Sequence, residues 1–319
     1  MITIELLGYI VLLIGSIAVL GNSARYVVDK AARLAKFFGV SELAVGFILI
    51  AVLTSLPELS VAVLSATAGE GNISMGDVTG SNVTNIALVL GACGLVGFGK
   101  KFRSSERANA LVLLFFSLVP LLLVIDGQLT SLDSMILLAL FVMFVGYIFM
   151  NRVRMNNTEV ITKKEAAKDF IIFLVSMGVV MISAGVVVHS ATVIAEDLGL
   201  FKSFIGATII ALGTSLPELA VDTTAVRRGK VSMALGDIVG SNVVNLTLVL
   251  GINAMINPFA PNLKMIGPVM LFILAAVALL AFFLWKNKTI SKRDGLVLLG
   301  LYALYIIAAS GVQIFQLGQ

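Results

Sequence analysis

Long apolar runs of Ile, Leu, Val and Ala alternate along the chain with short polar and charged segments, and several runs reach the roughly 20 residues that cross a bilayer. They predict ten spans, near residues 4–24, 42–67, 75–97, 108–126, 131–150, 168–196, 203–226, 233–256, 264–285 and 294–315. The polar positions inside these runs are not scattered. Thr54-Ser55-Leu56-Pro57-Glu58-Leu59 returns 160 residues later as Thr214-Ser215-Leu216-Pro217-Glu218-Leu219, and Met75 to Gly91 returns at the same offset as Leu235 to Gly251 with 11 of 17 positions identical. What is duplicated is a carboxylate beside a proline, followed by small and polar residues. At membrane depth such residues are costly and mark function.

Composition identifies the solvent. An apolar fraction of 59% with 13% charged residues is far from the roughly 25% charge of a soluble domain, so the chain reads as a polytopic membrane protein. The first run, Leu6 to Leu20, follows Met-Ile-Thr-Ile-Glu without a basic leader region, and is expected to be a retained span. The single cysteine, Cys93, excludes an internal disulfide and a cysteine metal cluster. His189 and Trp285, each the only one of its kind, are too solitary to found a site, and Trp285 beside Lys286 suits an interface anchor.

Charge adds orientation. Of 22 basic residues, 20 fall on the odd-numbered connections: Arg25 to Lys36, Lys100 to Arg107, Arg152 to Lys168, Arg227 to Lys230 and Lys286 to Arg293. Only Lys202 and Lys264 remain for the other side. Positive residues stay in the cytoplasm, which predicts a cell-membrane protein with both termini extracytoplasmic. These residues serve topology, and no nucleic-acid partner is expected.

Five spans per copy is an odd number, so the second copy must enter the membrane inverted. The expected fold is an all-α membrane protein: ten transmembrane helices in two inverted-topology repeats of five, with broken helices at the ion site. The first repeat covers 1–150 (duplicated motif 51–91), a cytoplasmic connection 151–167, and the second repeat 168–319 (motif 211–251). Inverted repeats with midplane sites on discontinuous helices are a recurrent construction of secondary transporters. Pro57 and Pro217 lack the N–H that continues a helix, which frees carbonyls about one turn earlier, where Ala51, Thr54, Ala211 and Thr214 stand.

The side chains near these breaks are oxygen donors: Thr54, Ser55, Glu58, Asp77, Ser81, Asn82 and Asn85, and their counterparts Thr214, Ser215, Glu218, Asp237, Ser241, Asn242 and Asn245. Asp77, Ser81 and Asn85 repeat at i, i+4, i+8 along one helix face, as do Asp237, Ser241 and Asn245. Carboxylates, hydroxyls, amides and carbonyls are the ligand set of hard cations. Glu58 and Glu218, from opposite halves, match the charge of one Ca²⁺ or two Na⁺. Other readings stay open for the rest. Gly80, Gly240, Asn82 and Asn242 also suit close helix packing, Asp77 and Asp237 also suit a helix cap or a cavity mouth, and Asp222, whose counterpart is Ala62, is expected in a cytoplasmic vestibule.

With Thr54 to Glu58 and Gly76 to Asn85, and their partners 214–218 and 236–245, the chain resembles the α-repeats of the Ca²⁺/cation antiporter superfamily, and within it the compact prokaryotic Na⁺/Ca²⁺ exchangers. The resemblance implies ion sites between helices two, three, seven and eight. It assigns a central Ca²⁺ site to Glu58 and Glu218 with the carbonyls of Thr54 and Thr214. Flanking Na⁺ sites fall to Ala51, Ser55, Ser81, Ala211, Ser215 and Ser241, with Asn85 and Asn245 beside the centre. Some relatives carry an aspartate at the position of Asn245, whereas here both central amides are neutral. Asp77 and Asp237 replace an asparagine common elsewhere, as if charge had moved outward.

The expected function is a secondary active antiporter that exchanges Ca²⁺ for Na⁺ by alternating access. Ca²⁺/H⁺ antiport on the same scaffold is the alternative, and a cation channel a further one. No phosphate-cradling glycine loop with lysine suggests an ATP-driven pump, and the repeats hold no nucleophile and base pair for an enzyme. The expected partners are inorganic cations and the lipid bilayer, with no cofactor and no obligate protein partner.

Overall fold

The computed structural model describes residues 4–97, 102, 104–150, 161–197 and 211–317. The expected span 203–226 and Lys100, Lys101, Arg103, Arg152, Arg154 and Lys202 lie wholly or partly outside them. The described residues form helices α1 (Ile4–Phe38), α2 (Glu42–Thr54), α3 (Leu56–Thr67), α4 (Gly71–Val96), α5 (Ser104–Ser117), α6 (Val119–Leu123) and α7 (Ser131–Met150). They continue with α8 (Lys163–Asp197), a short turn Ala211–Gly213, α9 (Leu216–Arg227), α10 (Val231–Ile256), α11 (Leu263–Lys286) and α12 (Lys292–Leu317). Six of these are long and apolar enough to cross a membrane, or seven if α2 and α3, bent by 43° at Ser55, count as one. The chain is an all-helical, multi-pass membrane protein.

Two expectations need correction. The first span was placed at 4–24 because Arg25 and Lys30 follow, yet α1 continues to Phe38. At 1.5 Å per residue its 35 residues are about 52 Å long, beyond the ~30 Å hydrocarbon core, so its basic end stands clear of the lipid. The fourth span, 108–126, is split at Leu118 where Pro120 starts α6.

The long helices α1 and α8 pack side by side and run in opposite directions. Tyr9 near the start of α1 meets His189 late in α8, ring centroids 5.9 Å apart. At the other end Lys30 Nζ and Arg33 Nε each reach Asp169, early in α8, at 2.6 Å. The helices α4 and α10 also cross antiparallel. Asn253 Nδ2, late in α10, donates to the Gly71 carbonyl that opens α4, and the Asn245 and Asn82 side chains meet midway at 3.5 Å.

The connections sort by face. Lys230 pairs with Glu42 at 2.6 Å and Arg228 with Asp29, which joins the loops after α1 and α9 on the side where Asp169 lies. On the opposite face Asn72 donates to the Ala260 carbonyl at 3.1 Å, the Asn262 N–H donates to Asn72 at 2.9 Å, and Leu129 and Phe259 exchange backbone bonds. The basic residues that follow α9 thus meet the end of α1 on one face, and the connections at Asn72, Leu129 and Asn262 meet on the other.

Duplicated sequence produces duplicated backbone. Ser55 (φ −81°, ψ 7°) and Ser215 (φ −93°, ψ 8°) break their helices alike, and each following proline sits in a helical first turn. Gly69 and Gly229 close α3 and α9 in the left-handed region, at φ 81° and 71°. Wide π-type turns begin at Thr84 and Asn245, inside α4 and α10. Such turns concentrate at functional sites.

Glycines bring the two halves into backbone contact. A Cβ at Gly236 would lie 2.2 Å from the Leu43 carbonyl oxygen, one at Gly46 2.2 Å from that of Met233, and one at Gly240 2.7 Å from Ala51 Cβ. Packing is therefore the role of Gly240. At Gly76, the counterpart of Gly236, a Cβ would meet nothing within 4 Å. Gly236→Ala should accordingly destabilise the protein by about 1–3 kcal/mol or more, whereas Gly76→Ala leaves it intact or slightly firmer. Thermal melts in detergent check the contrast, and equal melting of the two variants would contradict this packing.

Candidate ion site

The site forms where the Ser55 break and the Ser215 break face the π-type turns of α4 and α10. Thr54, Ser55, Glu58, Ser81 and Asn85 are buried together with Ser215, Glu218, Ser241 and Asn245, while Thr214 and Asp77 are partly buried. Ala211 opens the short turn before Thr214. Helical spacing explains the convergence: Glu58 lies one turn beyond Thr54 and Glu218 one turn beyond Thr214, so each carboxylate looks back across its own break.

The contacts cross between the halves. The Thr54 hydroxyl lies 3.5 Å from Asp237 Oδ1, 3.4 Å from Ser241 Oγ and 3.4 Å from the Ala51 carbonyl, and Ser241 Oγ lies 3.2 Å from the same Asp237 oxygen. Thr54 also faces Glu218, Ser81 faces Glu58, and Glu218 stands within electrostatic reach of both Glu58 and Asp237. The Ala51 carbonyl, expected to be free, receives the Ser55 N–H at 3.1 Å. The proline does not strip that oxygen, because Ser55 still completes the last turn before the break.

These distances exceed the 2.7–2.8 Å of a settled hydroxyl bond. Two oxygens at right angles around an ion held at about 2.4 Å are about 3.4 Å apart. The spacing thus suits a shared cation better than mutual hydrogen bonding. Satisfaction points the same way. Both oxygens of Glu58 and of Glu218, both amide atoms of Asn85, Asn245 Oδ1, and the hydroxyls of Ser55, Thr214 and Ser215 are buried without a hydrogen-bond partner. Buried polar atoms are rarely left so unless an ion or water serves them. Among the described residues no group of three acidic, histidine or cysteine side chains is placed to hold a metal by itself, so hydroxyls, amides and carbonyls have to complete any coordination. A cavity of about 470 Å³ bounded by Pro57, Thr214, Pro217, His189 and Thr192 adjoins the breaks.

Three sequence readings change. Asp77 and Asp237 cap no helix, because α4 starts at Gly71 and α10 at Val231, and both aspartates lie about two turns inside. Asp237 touches Thr54 and Ser241 and so belongs with the site. Asp222 is no vestibule charge: it is fully buried and its carboxyl group meets that of Asp237. Its position one turn after Glu218 on the same helix face is visible in the sequence, but its neighbour Asp237 on the next helix is not.

The sodium/calcium exchanger protein family matches residues 8–150 and 168–311. The chain belongs to that family. It is a transporter and not an enzyme, of a kind that carries ions without a cofactor. This exchanger-family chain is 27% identical to the sodium/calcium exchanger MaX1 of Methanosarcina acetivorans, over 96% of this chain and 99% of the relative. It is 29% identical to the inner membrane protein YrbG of Escherichia coli, over 79% and 81%. Its fold is similar to that of the sodium-calcium exchanger NCX_Mj, solved after soaking with Na⁺: TM-score 0.83 at 26% identity, covering 95% of this chain and 98% of that one.

The Thr54 hydroxyl lies against Asp237 and Ser241 of the other half and faces Glu218. Thr54→Val keeps the shape and removes that oxygen. It should raise the half-saturating cation concentration about tenfold, equivalent to roughly 1.4 kcal/mol, with little change in melting temperature. Cation titration of the purified variant measures this, and unchanged affinity would exclude the hydroxyl.

Proposed function

We propose that this exchanger-family protein exchanges Ca²⁺ for Na⁺ by alternating access. In this reading its ten spans form two inverted repeats, 1–150 and 168–319, joined by a cytoplasmic connection at 151–167, and both termini are extracytoplasmic. Glu58 and Glu218 hold one Ca²⁺ with the carbonyls of Thr54 and Thr214. Ala51, Ser55, Ser81, Ala211, Ser215 and Ser241 supply flanking Na⁺ positions, with Asn85 and Asn245 beside the centre. The observation that carries the reading is the pair of glutamates from opposite halves, buried and without donors, inside a shell of hydroxyls spaced for an ion. Inversion is supported by the antiparallel course of the equivalent helices α1 and α8, and of α4 and α10. Orientation rests on the distribution of Lys and Arg.

Proton coupling is the second reading, and one observation favours it. Asp222 and Asp237 add buried carboxylates beside Glu218, so the glutamates are not the only titratable groups at the core. The hydroxyls weigh toward Na⁺, since protons need no such shell. In vesicles an outward Na⁺ gradient should drive ⁴⁵Ca²⁺ uptake at fixed pH. Glu58→Gln or Glu218→Gln should abolish it while the protein stays folded. Robust uptake driven by a pH gradient alone would establish proton coupling instead, and flux without any counter-ion would indicate a channel.

The topology has its own test. Cysteines placed at Gly127 and Asn262 should react with an impermeant maleimide from outside the cell, and one at Asn156, which lies outside the described residues, should not. Reversed labelling would invert the orientation.

A further inference from the structure

Carboxylates form a file through the interface between the halves. Asp77 lies beside Glu58, Glu58 near Glu218, Glu218 near Asp237, and Asp237 against Asp222. The file is not symmetric. The counterpart of Asp222 is Ala62, so only the end formed by α9 and α10 carries two acids. Asp222 lies one turn past Glu218 toward the Arg228–Lys230 turn, and Asp237 lies seven residues after Lys230 on the returning helix. Both therefore sit between the glutamates and the face held by the Lys230–Glu42 ion pair.

The chemistry of this inner pair is incomplete. Asp222 and Asp237 are both fully buried. Their carboxyl groups face each other, and Asp222 Oδ1 and Oδ2 and Asp237 Oδ2 are buried without a hydrogen-bond partner among the described residues; two ionised carboxylates only accept and cannot satisfy one another. None of Glu58, Glu218, Asp222 and Asp237 takes part in an ion pair among the described residues. With both aspartates ionised, one divalent ion at the glutamates would leave two negative charges uncompensated one helical turn away. The other Asp237 oxygen already faces two hydroxyls, Ser241 at 3.2 Å and Thr54 at 3.5 Å, at the spacing of ligands around an ion.

The geometry points to a second site for a Ca²⁺-class divalent cation, held by Asp222 and Asp237 with the hydroxyls of Ser241 and Thr54, one turn from the glutamate pair on the side of the Lys230–Glu42 contact. This rests on the reading of Glu58 and Glu218 as the central site. Thr54 and Ser241, which touch both carboxylate pairs or their neighbours, are the bridge over which an ion passes from one position to the other. The site belongs to the second half alone, so ions leave the centre by unlike steps toward the two faces.

Equilibrium dialysis of the purified full-length protein with ⁴⁵Ca²⁺ in Na⁺-free buffer at pH 8 counts the ions. The wild type is expected to bind two per chain. Asp222→Asn, and independently Asp237→Asn, should reduce this to one, and Glu58→Gln should also leave one, now dependent on Asp222. A wild type that binds one ion, lost in Glu58→Gln and kept in Asp222→Asn, would overturn the second site and leave the central one standing. No bound Ca²⁺ in the wild type would overturn both. The wild-type count decides even if an aspartate variant fails to fold.

Discussion

Everything in this fold is arranged around the cost of holding carboxylates where no basic side chain answers them. A charge taken from water into a protein interior costs several kcal/mol even after relaxation, and four of them lie fully buried at one interface. Such an arrangement persists only if protons or bound cations answer the charge. The breaks at Ser55 and Ser215, the wide turns at Thr84 and Asn245 and the unpaired amides of Asn85 then have a common cause: each leaves oxygen available where a regular helix or a satisfied core would have used it.

The interface itself is built by the opposite means. Gly46, Gly236 and Gly240 allow α2 and α10 to touch backbone to backbone, with no side chain between them. That contact fixes Thr54 against Asp237 and Ser241, so the precision of the polar cluster derives from residues that carry no chemistry. The duplicated partner Gly76 lacks the equivalent contact among the described residues. The two halves are alike in sequence and unlike in packing.

Much of this was legible beforehand. Duplication and apolar run length led to helices and to breaks at the right residues, and the duplicated polar residues lie together and buried, because each follows from local chemistry. The errors came from distance in space. Asp222 was set aside because its partner is Ala62, although its real neighbour is Asp237, fifteen residues on and reached only after the chain turns at Gly229. For Asp77 and Asp237 a cap stood level with ion ligation because a polar start to an apolar run hides how early a helix begins, and α4 in fact opens at Gly71, packed against Phe259. Ala51 kept its bond because its donor is the Ser55 N–H, whereas the N–H missing at Pro57 would have served Leu53.

The two faces of the molecule are fastened with different materials. On one, separate segments are joined by full charges: Lys30 and Arg33 to Asp169, Arg228 to Asp29, Lys230 to Glu42. On the other, Asn72, Asn262, Asn253 and the Leu129–Phe259 pairing join segments through neutral groups. Dissolved salt weakens solvent-exposed ion pairs, acts less on partly buried ones, and leaves neutral hydrogen bonds nearly untouched. Ionic strength therefore acts on one face, chiefly at its exposed Arg228–Asp29 pair, and spares the other, so the two ends of the molecule differ in their response to salt.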